Sequence, residues 1–408
     1  MKYLPLTVSA CLSCCAVPVL AQTWAAAVLH PPQASDSVAQ NVIGGVQGGH
    51  VRFGNLRRSG LWTGTPASWV SLHPMGATES VAEGISASQR VGWVSFGDSF
   101  RAALWNGSAS AWVDLTPAGA SFAGARATNG TQQVGAVRIG STMRASLWSG
   151  SASSWVDLHP SFSNDSQAMG IAGSEQVGIT EAGGLYRATL WRGSAASRID
   201  LHPAFAVTSA AVGTNGAQQV GTFEVGNNQP RAALWTGTAE SMISLHPVGA
   251  TDSSASGIFG PYQVGSVNVG GRWRASLWRG TAASWFDLST VLDGSWYESR
   301  AAAIWSDGRN ISIVGSGFNL NTGRTEALLW TFTPPPEPCS PADIVSIGGI
   351  PPADGLLTGD DFVMFIATFA TGQSLADIVS IGGSPPGDGL ITGDDFNAFI
   401  AAFASGCP

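Results

Sequence analysis

Beyond Lys2 the chain of 408 residues contains no lysine. Without lysine there is no Schiff base to a carbonyl substrate and no P-loop lysine. Charged residues make up only 11% of the chain, and no basic stripe gathers among them, which argues against a nucleic-acid partner. After residue 21 no apolar run reaches the ~20 residues of a membrane helix, so no transmembrane segment is expected. Helical spacing of apolar residues is also missing up to residue 332. Cysteine is scarce: there are five, and Cys11, Cys14 and Cys15 fall close to the start.

That start reads as a targeting segment. Lys2 is followed by a mostly apolar stretch from Tyr3 to Leu20, and Val19-Leu20-Ala21 offers small residues for cleavage. Residues 1–21 are therefore expected to be a secretory signal peptide, which places the protein outside a bacterial cell or at its surface. A buried first strand, or a lipid anchor on one of the three cysteines, is the alternative.

What the sequence has in abundance is a repeat. Leu-Trp recurs at Trp62, Trp105, Trp148, Trp191, Trp235, Trp278 and Trp330, with spacings of 43, 43, 43, 44, 43 and 52 residues. A fixed period of this length marks a repeat architecture. The unit from Trp155 to Trp191 holds four short apolar or alternating stretches separated by Gly, Ser, Asn and Asp clusters. This is the signature of strands and turns, and four strands of about five residues fill one propeller blade.

The partner strand begins at Trp24, Trp69, Trp112, Trp155, Arg198, Met242 and Trp285. Both strands thus occur seven times, which predicts an all-β, seven-bladed β-propeller over residues 22–332. Only the strand at Trp24 lacks a Leu-Trp strand just before it. It is expected to pair with the Leu-Trp strand at Trp330 and close the ring, removing two sheet edges. Blades that each run from Trp24 to Trp62, and so on, would need no such closure.

The repeat resembles the bacterial extracellular family called HAF, whose pattern is Ala-x-Leu-Trp, a Gly turn, Asp-Leu, Ala-x-Gly-Ile and Gln-Val-Gly. The matching residues are Ala103-Leu104-Trp105, Asp114-Leu115, Ala168-Met169-Gly170-Ile171 and Gln219-Val220-Gly221. The resemblance implies an exported propeller-like domain and no defined activity.

A proline-rich linker at residues 333–338 leads to a different composition. Residues 339–408 carry eight Asp and no Arg, Lys or His. This tail is itself duplicated: Ala342-Asp343-Ile-Val-Ser-Ile-Gly-Gly returns at Ala376-Asp377, and Asp354-Gly355 through Thr358 to Asp361-Phe362 returns as Asp388-Gly389 through Thr392 to Asp395-Phe396. Each copy then places Phe and Ile at helical spacing. An Asp-Gly pair followed six residues later by an acid that opens a helix is the second half of a calcium loop. The expected calcium ligands are Asp343, Asp354, Thr358 and Asp361, and then Asp377, Asp388, Thr392 and Asp395. The competing reading makes these residues helix caps.

The tail resembles dockerin-like, EF-hand-type paired loop-helix modules, which implies a small α-helical unit with a cohesin-like partner. It departs from them in its stretched first half-loop and in closing with Asp rather than Glu. Cys339 and Cys407 bracket the module, and in an exported protein they are expected to form a disulfide; two free thiols are the alternative.

For chemistry the repeat offers little. His30, His73, His159, His202 and His246 share one slot with Thr116 and Ser289, which suggests a hydrogen bond to a turn rather than a metal ring. His50 stands alone. Arg58, Arg101, Arg144, Arg187, Arg231 and Arg274 are expected to pair with Asp114, Asp157, Asp200 and Asp287 across strands or blades. Trp93, Trp273, Trp296 and Trp305 break the repeat and are candidate stacking surfaces. No nucleophile–base pair stands out. The sequence therefore predicts a secreted, non-catalytic propeller that binds a protein or a glycan, with a calcium module for attachment. The alternative is a polysaccharide-active propeller enzyme, a glycosidase or a lyase, which should put non-repeating acids, Arg, Tyr or His together at one end of the channel; the non-repeating polar residues are mostly Ser, Asn and Thr.

Overall fold

A computed structural model describes residues 23–226, 228–334, 339–345, 353, 356–380 and 386–407. The expected signal peptide and Asp354 lie outside these residues. The chain divides into two compact units, one of them Ala25–Phe332 and the other holding the residues from Thr333 on.

The first unit is seven four-stranded antiparallel sheets. The blade containing Trp191 shows the pattern: Ser166–Ala172, Glu175–Ala182, Leu185–Trp191 and Ile199–Asp200. Between Trp191 and the outermost strand the chain makes one 3-10 turn, Ala195–Ser197. The outermost strand has two residues, fewer than the five expected. The chain leaves the sheet early because the Asp200 carboxylate accepts the His202 N–H and starts the His-Pro turn toward the next blade.

The seventh sheet closes the ring. Its order from the outside is Thr23–Val28, Arg324–Thr333, Ile311–Asn319 and Trp296–Ser306. The strand of Trp24 therefore lies beside the strand of Trp330, and Leu29 N–H continues the pairing to Ala327 C=O at 2.8 Å. Blades running from Trp24 to Trp62 are ruled out.

The core sits between the blades rather than within them. All seven tryptophans of the Leu-Trp strands are fully buried. Trp148 packs on Val91, Leu104 and Leu115 of the preceding blade, and Trp235 on Val177, Leu190 and Leu201. Each such aromatic buries a large apolar area, and each buried Leu or Val adds about 1.5–3 kcal/mol.

The histidine slot stitches neighbouring blades together. The Ser209 hydroxyl, on the innermost strand of the fifth blade, accepts the Ala188 N–H of the fourth blade at 2.9 Å and pairs with His202 Nδ1 at 2.8 Å. Ser80 with His73, Ser166 with His159 and Ser253 with His246 repeat the arrangement. The Nε2 atoms of His30, His73 and His246 reach the carbonyls of Ala34, Ala77 and Ala250 in the turn. Between the second and third blades the serine is replaced by Ala123. There the Thr116 hydroxyl takes the Ala102 N–H directly at 3.1 Å. The repeated arginines and aspartates form cross-strand pairs within a blade, as in Arg144–Asp157 at 2.6 Å and Arg274–Asp287 at 2.7 Å. They are partly exposed and contribute at most about 1 kcal/mol each.

This exchange predicts a compensation. Ser209→Ala strands the buried Ala188 N–H and should lower stability by about 1–3 kcal/mol. Adding His202→Thr recreates the Ala123–Thr116 combination and should recover part of that loss. Urea unfolding of the three proteins checks it; a double variant no more stable than Ser209→Ala would refute the exchange.

Candidate functional site

The channel surface is set by one irregularity repeated seven times. On each innermost strand the register slips by one residue, between Ala82 and Gly84 in the second blade and Ala125 and Ala127 in the third. The same slip occurs at the equivalent place in the other five blades. Such a bulge leaves one residue unpaired and re-aims its side chain. The glycine of Gln-Val-Gly makes room for it: a Cβ on Gly178 would collide with the Gln167 carbonyl across the strand pair. Gly84, next to the bulge, lies so close to the Arg126 carbonyl of the next blade that any Cβ there would clash.

The seven bulge residues are Gln40, Glu83, Arg126, Met169, Val212, Ser256 and Ala302, and all seven line the channel cavity of about 470 Å³. The scaffold around them repeats, but they do not. Gln40, Glu83 and Arg126, on three consecutive blades, make one polar arc, and Val212 and Ser256 lie across from it. Arg126 Nη1 stands 3.1 Å from Glu83 Oε2, and the Trp93 indole N–H donates to Glu83 Oε1 at 3.0 Å. The Asn41 amide donates to the Glu83 backbone carbonyl. The Glu83 side chain is only 17% exposed, so its charge is held by these two donors rather than by bulk water. Glu83 is the single carboxylate among the described residues that line the channel, against Arg126 and Arg300.

The repeat-breaking tryptophans divide among three places. Trp93 buttresses Glu83, Trp305 lines the channel beside Phe259, and Trp273 and Trp296 line a separate cavity. His50 holds the same register place on its strand as Trp93: it pairs with Val38 and Ser59, as Trp93 pairs with Val81 and Ala102. Burial first, and then Arg57 and Arg52, lower its pKa to about 4. Sequence reasoning missed the channel ring. Its signal was the x of Ala-x-Gly-Ile, the one place inside the motif that carries Glu, Arg, Met, Val and Ser in turn.

In the second unit, α1 (Gly359–Thr371) and α2 (Gly393–Ser405) carry the apolar core, with the rings of Phe365 and Phe399 stacked at 3.8 Å. Cys339 and Cys407 form a disulfide, with Cα atoms 5.2 Å apart. Thr358 and Thr392 are the N-caps, and their hydroxyls accept the N–H groups of Asp360 and Asp394. Asp361 and Asp395 are fully buried. Each accepts two N–H groups from the segment before the loop, Ile344 and Val345 or Ile378 and Val379, and an N–H and a hydroxyl from its capping threonine. Asp343 accepts the Cys339 N–H, Asp377 accepts those of Asp388 and Gly389, and Asp388 accepts that of Leu390. Both oxygens of Asp361 and of Asp395 are thus spent on protein donors. No group of three or more His, Cys, Asp or Glu placed to hold a metal ion occurs among the described residues. Among the described residues, Asp361 and Asp395 thus act within the helix caps, and Asp354 lies outside those residues.

The fold is that of a seven-bladed propeller, and a similar solved structure is also a β-propeller. No family model matches the chain, and no curated protein does. Among solved structures it is similar to the β-propeller domain of the Trilobed protease from Pyrococcus furiosus, described as having an open velcro topology (8% identity, TM-score 0.50, 73% of this chain and 95% of that one). It is also similar to a puromycin hydrolase S511A mutant complexed with PGG (13%, 0.49, 74% and 56%) and to an oligogalacturonate lyase in complex with manganese (12%, 0.48, 76% and 93%). The chain spans about half the length of that hydrolase. At these identities the likeness shows the fold alone.

The expectation of a non-catalytic scaffold, and with it the expectation that the protein is not an enzyme, is corrected. The similar β-propeller with a TM-score of 0.50 is a domain of a protease, so the fold by itself does not mark a protein as non-catalytic. The expectation also rested on the non-repeating polar residues being mostly Ser, Asn and Thr, whereas the channel holds Glu83 and Arg126 together.

Two measurements follow. A histidine whose pKa falls on folding binds its proton better in the unfolded chain. The stability His50 provides is therefore complete above about pH 6.5 and is lost as the pH falls toward about 4, where the loss reaches about 3 kcal/mol. His73, His159, His202 and His246 are shifted in the same direction, chiefly by burial. Denaturant unfolding between pH 7 and 4 should show a shallower decline in His50→Gln; equal slopes would contradict this. For the tail, hydrogen exchange of α1 and α2 in the full chain should be the same in calcium and in chelator if Asp361 and Asp395 act as caps. Protection that disappears in chelator would favour the calcium reading.

Proposed function

We propose that the protein is a secreted lyase acting on an acidic polysaccharide, with the channel ring as its active site. The observation that carries this reading is the bulge ring, which sets one carboxylate, Glu83, against Arg126 and the Trp93 N–H in a channel otherwise lined by neutral residues and Arg300. Canonical glycosidases use two carboxylates about 5–9.5 Å apart. Among the described residues this channel offers one. Elimination next to a carboxylate needs a single base and a cation, and both are here.

In this reading Arg126 engages the carboxylate of a uronic acid unit, which frees Glu83 from its ion pair. The cation stabilises the negative charge that develops when the neighbouring C–H is broken. Glu83 takes that proton, the C–H electron pair forms a C=C bond, and the C–O bond to the next sugar breaks. The proton passes to the departing glycosidic oxygen. The products are an unsaturated uronate and a new chain end, and no water is consumed. Trp93 holds Glu83 in place through its N–H donor.

The repeat is read as HAF-type and the tail as a dockerin-like module that takes a cohesin-like partner. Export rests on the signal-like residues 1–21. The test is ultraviolet absorbance of unsaturated product on galacturonan, alginate and hyaluronan. Glu83→Gln keeps an acceptor for Trp93 and should lower kcat by about 10²–10⁴-fold. Turnover unchanged in Glu83→Gln, or no product from any acidic polymer, would reject the proposal.

A further inference from the structure

The channel does not end at its ring. Arg300, two residues before the bulge of the seventh blade, lines a second channel cavity of about 440 Å³ together with Glu83 and Arg126. Its guanidinium also lies over the Trp273 ring, 4.3 Å from the centroid. Trp273 borders a cavity of about 170 Å³ with Trp296, Tyr297 and Arg272, and Arg272 lies over the Tyr297 ring at 4.9 Å. Arg300 is thus common to the channel and, through Trp273, to the neighbouring cavity.

Charge there is not balanced within the protein. Among the described residues neither Arg300 nor Arg272 makes a salt bridge, whereas Arg274 in the same cavity is paired with Asp287 at 2.7 Å. Glu298 is the one carboxylate that lines the small cavity. A guanidinium laid on an aromatic ring keeps its edge N–H groups for another partner, and that edge fits a carboxylate with two parallel bonds. These positions are also outside the repeat. In register, Trp273 corresponds to Arg57, Phe100, Met143 and Tyr186. The place is thus not fixed by the scaffold, and in this blade it carries the ring on which Arg300 lies.

We infer that Arg126, Arg300 and Arg272 form a track along which an acidic glycan chain runs from the channel ring to the cavity of Trp296 and Tyr297. The inference rests on the lyase reading and extends it. The substrate is a polymer with repeated carboxylates, and units beyond the cleaved one are held by stacked arginines. A dimer fills the ring alone, whereas a hexamer reaches the track.

The experiment uses the full chain and its Arg272→Gln and Arg300→Gln variants, with galacturonate and alginate oligomers of two and six units. The ratio of kcat/KM for hexamer over dimer should fall about tenfold or more in each variant, the loss expected for one charge-assisted pair. Melting temperatures matching the parent establish that the variants are folded. Intrinsic tryptophan fluorescence in the Glu83→Gln background reads hexamer binding without turnover. Catalysis with an unaltered length ratio would overturn the track and leave the lyase reading standing. If no oligomer is cleaved, the lyase reading falls, and the titration decides the track: weaker hexamer binding in the arginine variants sustains it, and equal binding ends it. Single-stranded DNA that displaces the hexamer at equal concentration would also overturn it, by making the track a general polyanion surface.

Discussion

A four-stranded sheet of about 43 residues has two faces to cover and too few residues to cover either alone, so each blade of this propeller buries its apolar side chains against its neighbours. Trp148 is buried by Val91, Leu104 and Leu115 of the blade before it, and the same contact recurs around the ring. Such an arrangement has no natural end. It is completed only when the last blade meets the first, and the seventh sheet achieves this by taking its outermost strand, Thr23–Val28, from the start of the domain. Ser37 then accepts the Ala327 N–H, the same stitch that Ser209 makes to Ala188, here across 290 residues. Closure turns a chain of weakly independent units into one cooperative structure.

Closure also separates two kinds of residue. Positions that face a neighbouring blade are held to one chemistry: buried Trp, Leu, Ser and Gly. The bulge position faces no blade. Its side chain is turned into the channel by the slip in register, and the glycine opposite makes the slip sterically possible. That position is free to differ from blade to blade, and it carries Gln40, Glu83, Arg126, Met169, Val212, Ser256 and Ala302. Trp93, one strand farther out, and Trp273, two strands farther out, show the same freedom. The scaffold is bought by repetition, and the chemistry sits where repetition stops.

The tail follows another logic. Six of its eight aspartates, with Thr358 and Thr392, read from the sequence as calcium ligands, because an Asp-Gly pair is followed six residues later by an acid that opens a helix. In the structure Asp361 and Asp395 fasten the start of each helix to the segment before it, each with four donors. A buried carboxylate that accepts several N–H groups is stabilised much as it would be by a cation. Loop spacing alone does not distinguish these two ways of satisfying a charge.

The spacing of Leu-Trp and the orphan strand at Trp24 were enough to reveal seven blades and the manner of their closure, because both are counting problems along the chain. The histidine slot was legible as a hydrogen-bonding position, since His, Thr and Ser share donor and acceptor groups but little else. The channel site was not legible. Glu83, Arg126 and Trp93 lie 43 and 10 residues apart in positions that look like ordinary variation within a motif, and Arg300 and Trp273 belong to different blades. They converge because a bulge turns one side chain inward and because a closed ring brings every inner strand to a common axis. Sequence by itself determined the unit, its number and its buried face, all of which are local periodicities. Which variable residues meet was decided only by the tertiary structure, since the channel exists only when the ring is closed.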